Sequence, residues 1–258
     1  MTRGKTNHIF ILLAFLLCAI DAFSQGKVYT RKARLEDFPI RTTKVVIDGN
    51  SFLGIALREE IALRWRISPY EHCTPAEYDK LKTDNNFYFI NLVEEDGIAF
   101  LTLSKGGKEE DDNQFKRPFE VVRVPFASVG DPSGRELIFM GAFVDILQIF
   151  VEDAMLADQV AYSGLKHYNS SNLSFKTIYL DPEKADEQYL NNTPGTLVGI
   201  CIAPTEISKR SYCYKMLITA DSHELYYYKK AKYRGSKDAS FTESEIKHFI
   251  NRDGIIAQ

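Results

Sequence analysis

Glu71, His72 and Cys73 bring a carboxylate, an imidazole and a thiol together just ahead of a helix start. A thiol placed there feels the positive end of the helix dipole, which favours the thiolate and nucleophilic chemistry. The spacing works against a Cys-His pair, because neighbours on an extended segment point to opposite faces. A nucleophilic Cys73 would need a distant base, for which His167 and His223 are the candidates. The alternative makes Cys73 a small buried residue at a strand end. A hydrolase would need scattered groups such as His72, Asp145, His167 and His223 to converge on one cleft. No catalytic residue is assigned.

His72, Cys73, His223 and Glu224 are metal-ligand types, yet none of them shows the repeated close spacing of a zinc site. The acidic run 109–113 lacks the glycine and distal glutamate of an EF-hand and reads as a solvated loop. Asp48-Gly49-Asn50-Ser51 opens a helix after a strand, where backbone amides could hold an anion. No glycine-rich fingerprint and no Lys-Ser/Thr pair accompanies it. Neither a metal nor a cofactor is expected.

Tyr226, Tyr227 and Tyr228 lead into Lys229, Lys230 and Lys232, a mixture of rings and bases suited to nucleic acid or carbohydrate. On a strand, Tyr226 and Tyr228 share one face. Either this is an edge strand whose lysines discourage strand addition, or Tyr226, Tyr228, Lys229, Lys230 and Lys232 form a surface for an anionic envelope partner. Cys201 and Cys213 fall in consecutive strands. If Ala203 pairs with Ser211 they face each other within disulfide range, leaving Cys73 free; a register slip would separate them.

The elements that must position these groups follow from pattern. A strand is expected at 44–48, then an amphipathic helix at 51–64 that buries Leu53, Ile55, Ala56, Leu57 and Ile61 and exposes Arg58, Glu59 and Glu60. After a short strand at 65–71, Thr74-Pro75-Ala76-Glu77 is a capping box with proline at the first helical position. Strands at 87–93, 98–103 and 119–126 form a meander whose first turn is Asp96-Gly97. The second half repeats this order: a helix at 137–160, a strand at 175–180, a helix capped by Asp181-Pro182, and strands at 196–203, 211–219 and 224–230. A final helix is capped by Thr242 and Glu245. No equivalent of the 44–48 strand is evident in the second half. The helix at 137–160 is almost wholly apolar, with Phe139, Phe143, Leu147 and Phe150 suiting either a central core helix or an interface with a partner or second copy. Asp145 and Gln148 interrupt it as a membrane span.

The expectation is therefore an α/β (α+β) fold of two similar lobes, 25–126 and 127–258, with helices packed on mixed sheets. Turn formers Gly130, Asp131, Pro132, Ser133 and Gly134 mark the connection.

The 258 residues are 45% apolar and 26% charged, which excludes disorder, and a formal charge of −3 excludes non-specific nucleic-acid binding. At the amino terminus, Arg3 and Lys5 precede an apolar run at 9–20 and then Ala22-Phe23-Ser24, the form of a secretory signal peptide cleaved between Ser24 and Gln25. The run is too short for a transmembrane span and stops at Asp21. Leu17 and Phe15 stand where a lipobox around Cys18 would need a small residue and a leucine. The mature chain is expected in the periplasm or outside the cell, without a membrane span.

In residues 44–104, with 137–219 as a second instance, the order strand, amphipathic helix, short strand, second helix and strands with a Phe87-Tyr88-Phe89-Ile90 core resembles the amino-terminal module of TolB and the CsgG-like proteins of the bacterial envelope. That resemblance implies a non-enzymatic envelope component acting by protein association. A carbohydrate- or lipid-binding protein, or a secreted hydrolase, is the alternative.

Overall fold

The computed structural model describes residues 32–49, 51–107, 118–130 and 134–257. The export signal at 1–24, the acidic run 109–113, Asn50, and Asp131, Pro132 and Ser133 lie outside the described residues.

The first lobe follows the expected order. Strand β1 (Thr42–Val46) leads to helix α1 (Phe52–Arg64), whose N-cap Ser51 accepts a hydrogen bond from the Gly54 amide. Strand β2 (Tyr70–Cys73) is followed by α2 (Pro75–Leu81), started by the Thr74/Glu77 capping box. Strands β3 (Phe87–Glu95), β4 (Ile98–Lys105) and β5 (Phe119–Ser128) form the meander. Asp96 and Gly97 both take positive φ, 50° and 80°, as a two-residue hairpin of matching twist requires.

In the second lobe the apolar helix is interrupted twice. It forms α3 (Arg135–Ile138), α4 (Met140–Leu156) and α5 (Asp158–Ser163), with Phe139 outside helical geometry and Ala157 extended. Then come β6 (Thr177–Tyr179), the Pro182-started α6 (Pro182–Leu190), and β7 (Thr196–Ile202), β8 (Tyr212–Thr219) and β9 (Leu225–Lys232). Helix α7 (Glu243–Ile250) carries the Thr242/Glu245 capping box, and strand β10 (Ile255–Ile256) follows it.

Each lobe has a mixed five-stranded sheet, in the orders β2-β1-β3-β4-β5 and β10-β6-β7-β8-β9. In both, an outer strand and the strand beside it run parallel to the first strand of an antiparallel meander. The place of β1 is taken in the second lobe by β6, and the place of β2 by β10.

The main hydrophobic core continues from one sheet into the other. Helix α4 packs on α1 and β5 and lies within that core. Phe139, Phe143, Leu147 and Phe150 are all buried there, so their use as an exposed interface is corrected: the chain's own two lobes cover them. Phe38, in a short 3-10 turn before β1, packs its ring 4.6 Å from Tyr88 and 6.1 Å from Trp65. Helix α1 is rotated from the expected face, with Gly54, Leu57 and Ile61 buried, Ile55 exposed and Glu60 half-buried. A smaller core of Leu173, Ile178, Leu197, Leu217, Tyr227 and Phe249 joins α7 to the second sheet.

Candidate functional site between the two lobes

The Glu71-His72-Cys73 cluster is pulled apart by its strand. Glu71 is drawn to Lys44, with Nζ 2.5 Å from its carboxylate. His72 packs edge-on against Tyr70, and burial together with Arg58 lowers its pKa. Cys73 turns inward, and burial, then the nearby Glu77 carboxylate, push its thiol up. The expected thiolate-favouring effect of the following helix is therefore overridden by desolvation.

The strand register separates Cys201 from Cys213. Cys201 stands opposite Lys215 and Ile202 opposite Tyr214, so the Ala203 to Ser211 pairing is corrected by two residues. Cys73, Cys201 and Cys213 are all free thiols. Burial pushes the Cys201 thiol up to about 12, which keeps it protonated at neutral pH.

The tyrosine- and lysine-rich segment is the edge strand β9, and its side chains have partners within the lobe. Tyr226 packs on the smaller core and Tyr228 on the main one. Lys229 pairs with Glu245 at 2.8 Å. Lys230 lies over the Tyr212 ring at 4.3 Å, as Lys232 does at 4.8 Å. The Asn169 side chain caps the strand's open backbone, accepting from the Tyr228 amide at 2.7 Å and donating to its carbonyl at 3.0 Å. Lysines and a side-chain amide together close this edge.

Of the histidines that a convergent site required, His223 alone meets Asp145. Asp145 projects from α4 toward both lobes. Its Oδ2 accepts from Arg64 Nη1 of α1 at 2.7 Å and from His223 Nδ1 of the β8–β9 turn at 2.6 Å. His223 holds a positive φ of 60° and stacks on Tyr189 of α6 with ring centroids 5.2 Å apart. Glu60 grips the other side of Arg64 at 2.5 Å. Burial alone would lower the Arg64 pKa, but Glu60 and Asp145 more than offset it and raise it. Gly141 permits this approach, since a Cβ there would lie 2.5 Å from Arg64 Nε. A carboxylate holding an imidazole resembles half of a catalytic triad. Here the same oxygen also binds a guanidinium, and His223 hydrogen-bonds to no hydroxyl or thiol among the described residues. The arrangement clamps α1, α4 and the β8–β9 turn together.

Beside this clamp lies a cleft of about 230 Å³ where the lobes and their connection meet. Phe126, Phe139, Phe143, Ile200 and Ile202 form its apolar walls, with Ser128, Arg135, Glu136 and Cys201 as polar lining. Phe126 sits at an irregularity of the β4–β5 ladder, the kind of bulge that re-aims a side chain. Arg135 forms a forked pair with Asp186 of α6, its closest contact 2.6 Å. Phe139 connects cleft and clamp, with its ring 4.2 Å from Tyr189.

The sequence pattern missed Arg64, Arg135 and Ser128, whose roles depend on distant elements. It also missed Lys215, although a lone lysine inside the apolar run Tyr214 to Ile218 is a readable sign of a buried ion pair. Among the described residues no group of His, Cys, Asp and Glu is arranged to hold a metal ion, and no helix is long and apolar enough to cross a membrane. No family model, no characterised protein and no solved structure matches the chain.

Proposed function

We propose that the protein is an exported, non-enzymatic binding module of the cell envelope that acts by association with another protein or a second copy of itself. The observation that carries this reading is the outward face of α1. Phe52, Ile55 and Leu63 are 86%, 42% and 67% exposed, and at about 100° per residue they fall on one strip of the helix, with exposed Glu59 between Ile55 and Leu63. Large apolar side chains grouped on one element, rather than scattered, are characteristic of association surfaces. The opposite face of α1 is held by Leu57, Ile61 and the Arg64–Asp145 pair, so the strip is displayed on a rigid support. The pattern at 1–24 supports export.

Photo-crosslinking in the source cells tests the surface. A crosslinker replacing Ile55 should give a discrete adduct, and one replacing exposed Lys237 should not. Equal adducts from both positions, or none from position 55, would overturn the reading. Amino-terminal analysis of protein recovered outside the cytoplasm should start at Gln25; retention of Met1 would overturn export.

A further inference from the structure

We propose that the cleft between the lobes is a binding site for a small uncharged ring compound, of phenol or alicyclic-alcohol type, that carries one hydrogen-bonding group. This goes beyond association through α1 and does not depend on it. Size gives the first constraint. Dry apolar cavities of about 150 Å³ take up benzene. At about 230 Å³ the cleft has room for one ring with a short substituent.

Wall chemistry gives the second. The Phe126 and Phe143 rings meet at 64° with centroids 6.2 Å apart, and Ile200 and Ile202 face the same space. Aromatic edges and branched aliphatic groups favour a flat apolar body.

Charge gives the third. An ionised ligand would need an available countercharge, and both charged lining residues have partners. The Arg135 guanidinium is forked onto Asp186 and lies 5.4 Å from the Phe139 centroid. Glu136 is buried and accepts from the Gly134 amide at 3.0 Å. Cys201 contributes a neutral thiol.

One polar group remains. Ser128 lines the cleft; its hydroxyl is turned into the wall with no hydrogen-bond partner among the described residues, and a rotation about χ1 is what would present it to a ligand. A buried hydroxyl left unpaired costs free energy, which a ligand donor or acceptor recovers on binding. Interfaces between lobes are a preferred place for such sites.

The test uses the full chain with isoleucine methyl labelling and three probes of matched shape: 4-ethylphenol, ethylbenzene and 4-ethylbenzoate. Titration with 4-ethylphenol should shift the Ile200 and Ile202 methyl resonances saturably at one-to-one stoichiometry. Ethylbenzene should bind roughly tenfold more weakly, the worth of one hydrogen bond, and Ser128→Ala should remove that difference. Ala203→Leu, which fills the cleft, should abolish the shifts. Should Ala203→Leu fail to fold, the Ser128→Ala comparison decides. Absence of saturable shifts at Ile200 and Ile202, equal binding of 4-ethylbenzoate and 4-ethylphenol, or an unchanged phenol preference in Ser128→Ala would overturn the proposal.

Discussion

Two helices in this protein begin with the same capping box, and their tertiary settings give the two glutamates different work. In the first lobe, Thr74 and Glu77 start α2, a helix with no buried residue, and Glu77 is exposed. Its carboxyl is held below the usual range by the Thr74 amide and hydroxyl. In the second lobe, Thr242 and Glu245 start α7 in the same way, but Glu245 is 4% exposed. There it also takes Lys215 at 2.9 Å, Lys229 at 2.8 Å and the Tyr227 hydroxyl at 3.1 Å. Lys215 is itself 2% exposed and lies in the centre of β8. A local motif thus caps one helix and, in the other, also neutralises a charge inside a sheet. The difference follows from what lies across from the cap, which helix sequence alone does not specify.

Removing the two carboxylates is the sharpest way to break this comparison. Glu245→Ala leaves Lys215 charged and buried without its partner, and should cost about 3–5 kcal/mol in urea unfolding. Glu77→Ala loses only an exposed cap contact and should shift the unfolding midpoint far less. Equal losses would mean that the buried network adds nothing to the cap.

Acid should reveal the same asymmetry. Burial pushes the Glu245 carboxyl up, but Lys229, the Thr242 amide and Lys215 outweigh it and hold the pKa at about 2, from an ordinary 4.5. A depressed folded pKa means that this stabilisation is complete above about pH 4.5 and is lost as pH falls toward 2. The contribution is on the order of 3 kcal/mol. The stability difference between wild type and Glu245→Gln should therefore shrink across that interval, and that between wild type and Glu77→Gln should shrink less, because Glu77 makes only the exposed cap contacts. A constant Glu245→Gln difference from pH 6 to pH 2 would contradict the assignment.

A smaller effect is expected where the lobes meet. Asp145→Asn weakens the contacts to Arg64 and His223 in a site that is partly open to solvent, and should cost about 1–2 kcal/mol. Because the main core runs through both sheets, unfolding should remain a single transition with a lower midpoint. Two resolved transitions in Asp145→Asn would show that this clamp, rather than the shared core, couples the lobes.

The legible parts of this molecule are those set by local chemistry. Thr74-Pro75, Asp181-Pro182 and Thr242 start helices as expected, and Asp96-Gly97 forms the hairpin turn. Strand order was not legible. Short strand followed by Pro-capped helix occurs in both halves, yet β2 goes to the sheet edge and β6 to an interior position beside the edge strand β10. The missing outer strand of the second lobe is supplied by two residues, Ile255 and Ile256, after α7, too few to carry a periodic signal. The cleft was equally hidden, because Ser128, Arg135 and Phe143 of one stretch meet Ile200, Cys201 and Ile202 of a strand distant in the chain.

The sequence by itself determined the order of the main helices and strands and where the capped helices start. Caps, turns and the alternation of apolar residues act over a few positions and need no distant partner. Tertiary structure alone decided that Cys201 faces Lys215, that Asp145 joins Arg64 to His223, and that the aromatic face of α4 is covered from within. Register, pairing order and burial depend on which surfaces meet after the chain has folded back on itself, and a shift of two residues in one ladder exchanges every facing pair while leaving each strand's own pattern unchanged.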